Sequence, residues 1–308
     1  MDNNHFDVII LGAGPAGLTA GIYLGRSKAK TLILDTGMPG GQMVLTYEIA
    51  NYPGIENISG YKLSSIMKKQ AKNFGCIIKS GVKIEQFELE GKTKSVKLSN
   101  GDNYTASALI IATGGRSRIL NVPGETEFKG RGISYCATCD GDFFQDKEIV
   151  VVGGGNSALE EAVALTKYAS KVTILHEFDH FQAFEHAVEE ARKHPKINFI
   201  MESHITAFYG TESLEKIRYK NLKSGEEREM TIDGVFIFIG YEANTQSLQK
   251  TPLQLNGRNE ILTDENLQTN IQGVFAAGDC LAKRYRQITT AVSDGTVAAL
   301  NALNYAQH

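Results

Sequence analysis

The stretch DVIILGAGPAG, residues 7–17, decides the fold of this chain. The apolar run DVIIL reaches Gly12 and passes through a G-x-G-x-x-G pattern into a helical stretch, which is the order strand, tight turn, helix. Gly12 permits the turn, Gly14 lets the backbone approach a pyrophosphate, and Gly17 lets the helix pack closely on the strand. A second apolar strand, TLILD, ends at Asp35, 23 residues after Gly12, where a carboxylate can bind ribose hydroxyls. The stretch therefore predicts a dinucleotide-binding unit.

The same unit recurs in the middle of the chain. KEIVVVGGG, residues 147–155, is a strand that runs into a second Gly-rich turn, NSALEEAVALTKYA has helical periodicity, and KVTILHE is the next strand. Glu177 lies 24 residues after Gly153 and is the counterpart of Asp35. Two copies of one unit predict two nucleotide-type domains.

Two further apolar strands set the domain order. ALIIATGG, residues 108–115, precedes the second unit, and GVFAAGD, residues 273–279, follows it. We therefore predict an α/β fold with two Rossmann-like dinucleotide-binding domains, the second inserted into the first. The predicted boundaries are 1–115 and 244–308 for the discontinuous domain and 116–243 for the inserted one. The crossings near 113–118 and 240–245 are Gly-containing and are predicted to act as hinges.

Composition excludes several classes of function. The 308-residue chain is 42% apolar and has a formal charge of −3, and its basic residues are spread throughout, which does not suggest a nucleic-acid binder or a polybasic membrane binder. The N-terminal residues lack a basic leader before an apolar core, and the longest apolar runs are too short to cross a bilayer. A cytoplasmic location is therefore expected.

Four cysteines are few, and only Cys136 and Cys139 are close in sequence. In a reducing compartment a C-x-x-C pair is redox-active or binds metal more often than it is a structural crosslink. Structural zinc usually needs four Cys and His ligands, and Cys76 and Cys280 do not form a second pair. We predict a redox pair, two ordinary buried thiols and no metal site.

With GAGPAG, GGQ, ATGG, YCATCDG and GVFAAGD in this order, the chain resembles the low-molecular-weight flavoprotein thioredoxin reductases over nearly its whole length. The resemblance implies a homodimeric enzyme whose flanking domain binds FAD and whose inserted domain carries the redox disulfide that reduces thioredoxin. The residues expected to contact FAD are Gly12, Gly14, Ala16, Gly17, Asp35, Gly41, Gln42, Asn51, Thr113, Asp279, Arg286, Gln287 and Ile288.

The resemblance also implies roles for the residues of the dithiol. Cys136 is expected to attack thioredoxin and Cys139 to lie closer to the flavin; the spacing alone cannot assign them. Asp140 directly follows and is expected to protonate the leaving thiolate as a general acid, although an Asp-Gly pair is also a common turn. A C-x-x-C at a helix start lowers the pKa of a cysteine, and only a thiolate attacks a disulfide.

The resemblance breaks in LHEFDHFQ, residues 175–182. NADPH-dependent relatives carry H-R-R-x-x-x-R here, and the arginines bind the 2′-phosphate; this chain keeps His176 but has Glu177, Phe178 and Gln182 instead. Each lost charge-assisted contact removes about 1.5–3 kcal/mol of binding free energy. NADPH is therefore not expected to be the donor.

Two donors stay open, and ferredoxin is favoured. Glu177 suits NADH, because an acidic residue at this strand end holds the adenosine ribose, and the NADH-linked flavoprotein of alkyl hydroperoxide reductase has a similar Glu-Phe. The chain also resembles the ferredoxin-dependent flavin thioredoxin reductases, which keep FAD and C-x-x-C but lack the arginines. An acidic ferredoxin needs a basic surface, for which two runs of cations are candidates. They are Lys68, Lys69 and Lys72, and Lys283, Arg284 and Arg286.

Two further alternatives remain at this point. Phe178, Phe181 and Phe184 are spaced three apart, which favours packing within a helix, although they could instead crowd an adenosine pocket. A flavin-binding redox sensor that does not turn over is the alternative from another class of function. The intact Cys136 and Cys139 favour the enzyme.

Overall fold

The computed structural model describes residues 4–46 and 49–308. The first part of the chain contains β1 His5–Leu11, α1 Pro15–Arg26, β2 Thr31–Asp35, α2 Gly60–Asn73, β3 Ile77–Ser80, β4 Ile84–Glu88, β5 Lys94–Leu98, β6 Asn103–Ile111 and β7 Gly115–Ser117. The middle contains β8 Ile133–Ser134, α3 Ala137–Asp140, β9 Glu148–Val152, α4 Asn156–Leu165, β10 Lys171–Leu175, α5 Glu185–Lys193, β11 Ile197–Ile200, β12 Ser203–Gly210, β13 Leu214–Asn221, β14 Glu227–Thr231 and β15 Gly234–Ile237. The last part contains β16 Tyr241–Ala243, β17 Val274–Ala276 and α6 Ile288–Gln307.

The chain divides into two compact units. The flanking unit comprises Met1–Arg116 and Glu242–His308, and the inserted unit comprises Ser117–Tyr241. The two crossing segments, β7 and β16, pair with each other as a two-stranded sheet. Asn244 N donates to Gly114 O at 2.9 Å, and Arg118 N donates to Gly240 O at 2.9 Å.

The flanking unit is built on a mixed sheet of order β3-β2-β1-β6-β5-β4. The pairs among β3, β2, β1 and β6 are parallel, and β17 pairs in parallel with the last residues of β6. Side chains of β1 alternate between faces, as a strand requires. Val8 and Ile10 pack with residues of α1, α2 and α6, whereas Ile9 and Leu11 pack with residues of β5 and β17 on the other face.

The inserted unit has a parallel sheet of order β11-β10-β9-β15-β8. In β9, Ile149 and Val151 pack with residues of α4 and α5, whereas Val150 and Val152 pack with residues of β12 and β13. Strands β12, β13 and β14 form an antiparallel sheet. Both sheets confirm the predicted α/β fold, because each glycine turn joins a buried parallel strand to a helix.

Candidate functional site

The first Gly-rich turn joins β1 to α1 and has the geometry that its sequence predicts. Gly12 has φ +103°, which disfavours any side chain. A Cβ on Gly17 would lie 1.9 Å from the Gly12 carbonyl oxygen, so the helix packs too closely on the turn for alanine. Gly14, which directly precedes α1, has ordinary extended backbone and nothing within 4 Å of an added Cβ. The turn therefore leaves space at the N-terminus of α1, where a phosphate group is favoured.

Two alanine substitutions should separate folding from cofactor binding at this turn. We expect Gly17→Ala to lower the free energy of unfolding by about 3 kcal/mol or more, because its Cβ overlaps backbone. Gly14→Ala should change it by less than about 0.5 kcal/mol. It should nevertheless weaken FAD binding roughly tenfold or more, because the methyl group occupies the space a pyrophosphate needs. Urea unfolding and flavin fluorescence during titration measure the two effects, and equal losses of stability would contradict the assignment.

The strand ends of the flanking unit bring three of the predicted cofactor residues to one edge of the sheet. Asp35 ends β2, Thr113 follows β6 and Asp279 follows β17, and these strands run parallel to β1. Ligands bind at the carboxyl ends of strands in open α/β sheets. The Asp35 carboxylate accepts from Ala13 N at 2.5 Å and from Gly37 N at 2.7 Å. A carboxylate has about four acceptor sites, so it can also bind ribose hydroxyls.

The GGQ turn packs against the first turn. Gly40 N donates to Ala13 O at 2.7 Å, and a Cβ on Gly41 would lie 3.3 Å from Gly14 Cα. Gln42 is exposed in the short 3-10 helix that follows. Ala16 is buried in the first turn of α1.

Asn51 lies in an open groove of about 460 Å³ lined by Ala50, Asn51, Tyr52, Pro53, Gly54, Ile55 and Glu56. Its Nδ2 donates to Gln287 Oε1 at 3.4 Å. Gln287 caps α6, and Ile288 is the first residue of that helix. The NYPG turn and the start of α6 are thus neighbours in the flanking unit.

Two basic residues near Asp279 form internal ion pairs. Lys283 Nζ lies 3.5 Å from Asp279 Oδ1 and 2.6 Å from Asp294 Oδ2. Arg286 pairs with the buried carboxylate of Glu260. Burial raises the pKa of Asp279, and the charges of Lys283 and Arg286 oppose this rise. Glu260 lies 26 residues before Arg286, and sequence reasoning did not identify it.

The predicted redox pair of the inserted unit is present as a disulfide between Cys136 and Cys139. Cys136 directly precedes α3, so the C-x-x-C stands at the start of a short helix. Asp140 ends α3, and its N–H donates to Cys136 O at 3.2 Å. Burial raises the pKa of the Asp140 carboxyl, a hydrogen bond from Ser134 lowers it, and the charge of Asp142 raises it. Sequence reasoning missed Ser134, which no motif marks.

The other two cysteines are buried free thiols, which confirms their predicted character. Burial raises the pKa of Cys76 and of Cys280 to about 11, so neither is a thiolate near neutral pH. Among the described residues, Cys136 and Cys139 are the only cysteines that form a disulfide, so they are the candidate redox centre.

The segment 176–184 lies against the second Gly-rich turn. Gln182 N donates to Gly154 O at 2.8 Å, and Phe184 N donates to the Asn156 side chain at 2.7 Å. The His176 ring covers Gly154, where an added Cβ would lie 2.3 Å from it. These contacts fix the residues beside the turn at which a bound dinucleotide would present its adenosine ribose.

The favoured interpretation of the three aromatic residues is wrong, because no helix covers them. Helix α5 begins only at Glu185, and the backbone of the preceding segment bonds to the glycine turn instead. Phe181 packs on the core beside Phe199, whereas Phe178 and Phe184 are exposed.

In the part of the chain that the structure describes, no helix is long and apolar enough to span a membrane.

Three comparisons place these features among known proteins. A model of the family described as pyridine nucleotide-disulphide oxidoreductase matches residues 6–295. The "34.2 kDa protein in rubredoxin operon" of Clostridium pasteurianum is 46% identical over 304 residues, covering 99% of this chain and 98% of that protein. A thioredoxin reductase of Peptoclostridium acidaminophilum is 43% identical over 99% of this chain and 98% of its own. The crystal structure of thioredoxin reductase from Streptococcus pyogenes superimposes with a TM-score of 0.95 at 38% identity, over 99% of each chain.

Proposed function

We propose, from the premise that this chain belongs to the pyridine nucleotide-disulphide oxidoreductase family, that it reduces thioredoxin through Cys136 and Cys139 with reduced ferredoxin as donor. The chain is a thioredoxin reductase-like flavoprotein that depends on FAD. The observation that carries the proposal is the C-x-x-C disulfide at the start of α3, followed directly by the half-buried Asp140, whose carboxyl pKa is raised by desolvation.

The flanking unit fits FAD. The open space at Gly14 admits a pyrophosphate, and Asp35, Thr113 and Asp279 stand at neighbouring strand ends. FAD supplies the redox chemistry when bound. The residues of the chain bind and orient it and exclude water from its surroundings.

Disulfide exchange at α3 conserves atoms and electrons. With the pair reduced, the Cys136 thiolate attacks one sulfur of the thioredoxin disulfide, forms a mixed disulfide and releases the other thioredoxin sulfur as a thiolate, which takes a proton. The Cys139 thiolate then attacks Cys136 Sγ, re-forms the Cys136–Cys139 disulfide and releases the second thioredoxin thiol. The family resemblance assigns these two roles.

Asp140 supplies the proton for the leaving thiolate in this proposal. Because burial raises its pKa, the carboxyl keeps its proton to a higher pH than an exposed aspartate does. A general acid works best when its pKa approaches the working pH. The environment of Asp140 therefore suits the role.

The segment 176–184 supports a donor other than NADPH. Its only side chains that can carry positive charge are His176 and His180; burial lowers the pKa of His176, and His180 pairs with Asp179. Because the segment is anchored to Gly154 and Asn156, a 2′-phosphate at this turn would meet Glu177 and no arginine. That arrangement disfavours NADPH.

Reduced ferredoxin passes single electrons, so two molecules reduce one disulfide. Lys283 and Arg286 are engaged by internal carboxylates and contribute little to a surface potential. Lys69 and Lys72 on α2 and Arg284, which lies over the Tyr285 ring, are exposed. In this proposal the acidic ferredoxin binds the surface that carries the exposed Lys69, Lys72 and Arg284.

NADH is the second candidate donor because of Glu177. This carboxylate directly follows the buried His176 after β10, at the position where NADH sites bind the ribose hydroxyls. Rapid reduction by NADH would favour this candidate over ferredoxin.

The family resemblance also implies a homodimer, which forms part of the proposal. Helices α1 and α2 pack together and expose Tyr23, Tyr61 and Ile66, and Phe74, which directly follows α2, is also exposed. Apolar side chains of this kind suit an interface between copies of the chain.

Anaerobic mixing of the oxidised protein and oxidised thioredoxin with each donor tests the function. We expect reduced ferredoxin to bleach the flavin within seconds and to generate two thioredoxin thiols per pair of electrons, whereas NADPH should give neither signal. Thiol titration and flavin absorbance are the readouts. Flavin bleaching without thioredoxin thiols would contradict the disulfide-reductase function.

A further inference from the structure

A single buried hydroxyl connects the two ends of the C-x-x-C turn. Ser134, the last residue of β8, is 5% exposed. Its Oγ accepts from Cys136 N at 3.1 Å and donates to Asp140 Oδ2 at 2.6 Å. Oγ also lies 3.3 Å from Cys136 O, but a hydroxyl has one proton, and the shorter contact to a carboxylate is the stronger.

We propose that Ser134 is a positioning residue that holds the Asp140 carboxyl at the C-x-x-C turn. The proposal rests on the disulfide-reductase function proposed above, in which Asp140 protonates a leaving thiolate. Ser134 itself does not touch the reacting sulfurs in this role. It acts through Asp140, whose N–H also donates to Cys136 O at 3.2 Å.

The connection matters most when the pair is reduced. The Cys136–Cys139 bond closes the turn covalently, and that closure is lost on reduction. The hydrogen bonds of Ser134 involve a backbone N–H and a carboxylate but neither sulfur, so reduction does not remove them. Asp140 therefore stays in place in the oxidation state that must deliver a proton.

The same hydroxyl limits the effect of burial on the acid. Burial raises the pKa of Asp140 and the Ser134 hydrogen bond lowers it, because the bond stabilises the carboxylate. The elements next to α3 carry Asp142 on the following turn and Glu160 and Glu161 on α4; of these, Asp142 raises the pKa of Asp140. Removing the hydroxyl leaves burial and Asp142 unopposed, so the pKa should rise further.

Titration of Asp140 in the oxidised holoprotein tests this without donor or thioredoxin. With carboxyl-¹³C aspartate, NMR follows each carboxyl through pH, and Asp140→Asn identifies the resonance. We expect a higher pKa of Asp140 in Ser134→Ala than in the unmodified protein and recovery in Ser134→Thr, which keeps a hydroxyl. An unchanged titration in a folded Ser134→Ala variant would overturn the proposal. Where that variant does not fold, Ser134→Val against Ser134→Thr compares a methyl with a hydroxyl at equal volume.

Steady-state kinetics gives a second test, because a purely structural role of Ser134 would not shift the pH dependence of kcat. In Ser134→Ala we expect kcat to fall roughly tenfold, a part of the 10²–10⁴ that general acid catalysis contributes, with KM for thioredoxin unchanged. The alkaline limb of the kcat profile should move to higher pH, because Asp140 holds its proton longer. A raised KM with an unmoved limb would contradict the role. Absence of thioredoxin reduction in the unmodified protein would contradict the proposed function alone, because the titration is read independently.

Discussion

Replacing Cys139 by serine is expected to lower thioredoxin reduction by on the order of 10³-fold or more while leaving bound FAD unchanged. A serine hydroxyl is not ionised near neutral pH and cannot form a disulfide, so the Cys136–Cys139 bond cannot re-form after the first exchange. The predicted FAD residues lie in the flanking unit, whereas Cys139 belongs to the inserted unit. Flavin content should therefore be independent of this sulfur.

Cys76→Ser provides the matched control. Cys76 Sγ is buried and donates to Gly21 O at 2.8 Å, a hydrogen bond that serine can also make. This variant should keep near-normal turnover with the same donor and thioredoxin. If Cys139→Ser retained full turnover, or if both variants lost it equally, the dithiol mechanism would be wrong. Insulin reduction coupled to thioredoxin and absorbance of the bound flavin measure the two quantities.

The sequence predicted the parts of the site that depend on local backbone geometry. Gly12 and Gly17 are dictated by a turn and a close helix contact, which any strand-turn-helix of this type requires. Asp35 lies at the end of β2, 23 residues after Gly12, where the strand-turn-helix-strand unit predicts an acidic residue, and the C-x-x-C lies at the start of α3. At each of these positions one short stretch of chain determines the backbone conformation, so the local sequence pattern predicts it.

Contacts between residues that are far apart in the sequence could not be predicted in this way. The spacing of Phe178, Phe181 and Phe184 imitates a helix face, but the backbone of this segment bonds to Gly154 and is not helical. Likewise, Arg286 pairs with Glu260, a partner that nothing in the sequence marks. Tertiary contacts decide such positions, and they override local spacing.

The sequence did not predict a role for Ser134 for a related reason. The hydroxyl reaches Asp140 because only two residues separate the end of β8 from the start of α3, and a serine before a C-x-x-C has no motif of its own. The structure therefore shows side chains that bond to residues the sequence had already identified, such as Ser134 to Asp140 and Glu260 to Arg286. The proposal that NADPH is not the donor rests on the charge of segment 176–184, and restoring positive charge there tests it.

Introducing Glu177→Arg, Phe178→Arg and Gln182→Arg together should raise the affinity for NADPH by roughly 10²–10³-fold. Each new charge-assisted contact to the 2′-phosphate is worth about 1.5–3 kcal/mol, and removing the carboxylate relieves about 1 kcal/mol of repulsion. Together these contributions are at least about 5.5 kcal/mol before solvent screening. Because the three side chains are exposed to solvent, we expect about 3–4 kcal/mol of this to remain, which corresponds to roughly 10²–10³-fold in Kd. The backbone beside Gly154 and Asn156 already holds the segment in place, so no rearrangement is required.

NADH supplies the internal control for this triple variant, because it lacks the 2′-phosphate. We expect the variant to bind NADH no better than the unmodified chain does, and worse if Glu177 holds the ribose. Isothermal titration of the oxidised protein with each nucleotide gives both dissociation constants, and Glu177→Gln alone isolates the repulsion. Equal gains for NADPH and NADH would show that the arginines act on features the two nucleotides share, and no gain for either would mean that 2′-phosphate recognition is not what this segment lacks. A gain confined to NADPH would show that the side chains at positions 177, 178 and 182 decide whether this glycine turn can recognise a 2′-phosphate, because the backbone that carries them is the same in both proteins.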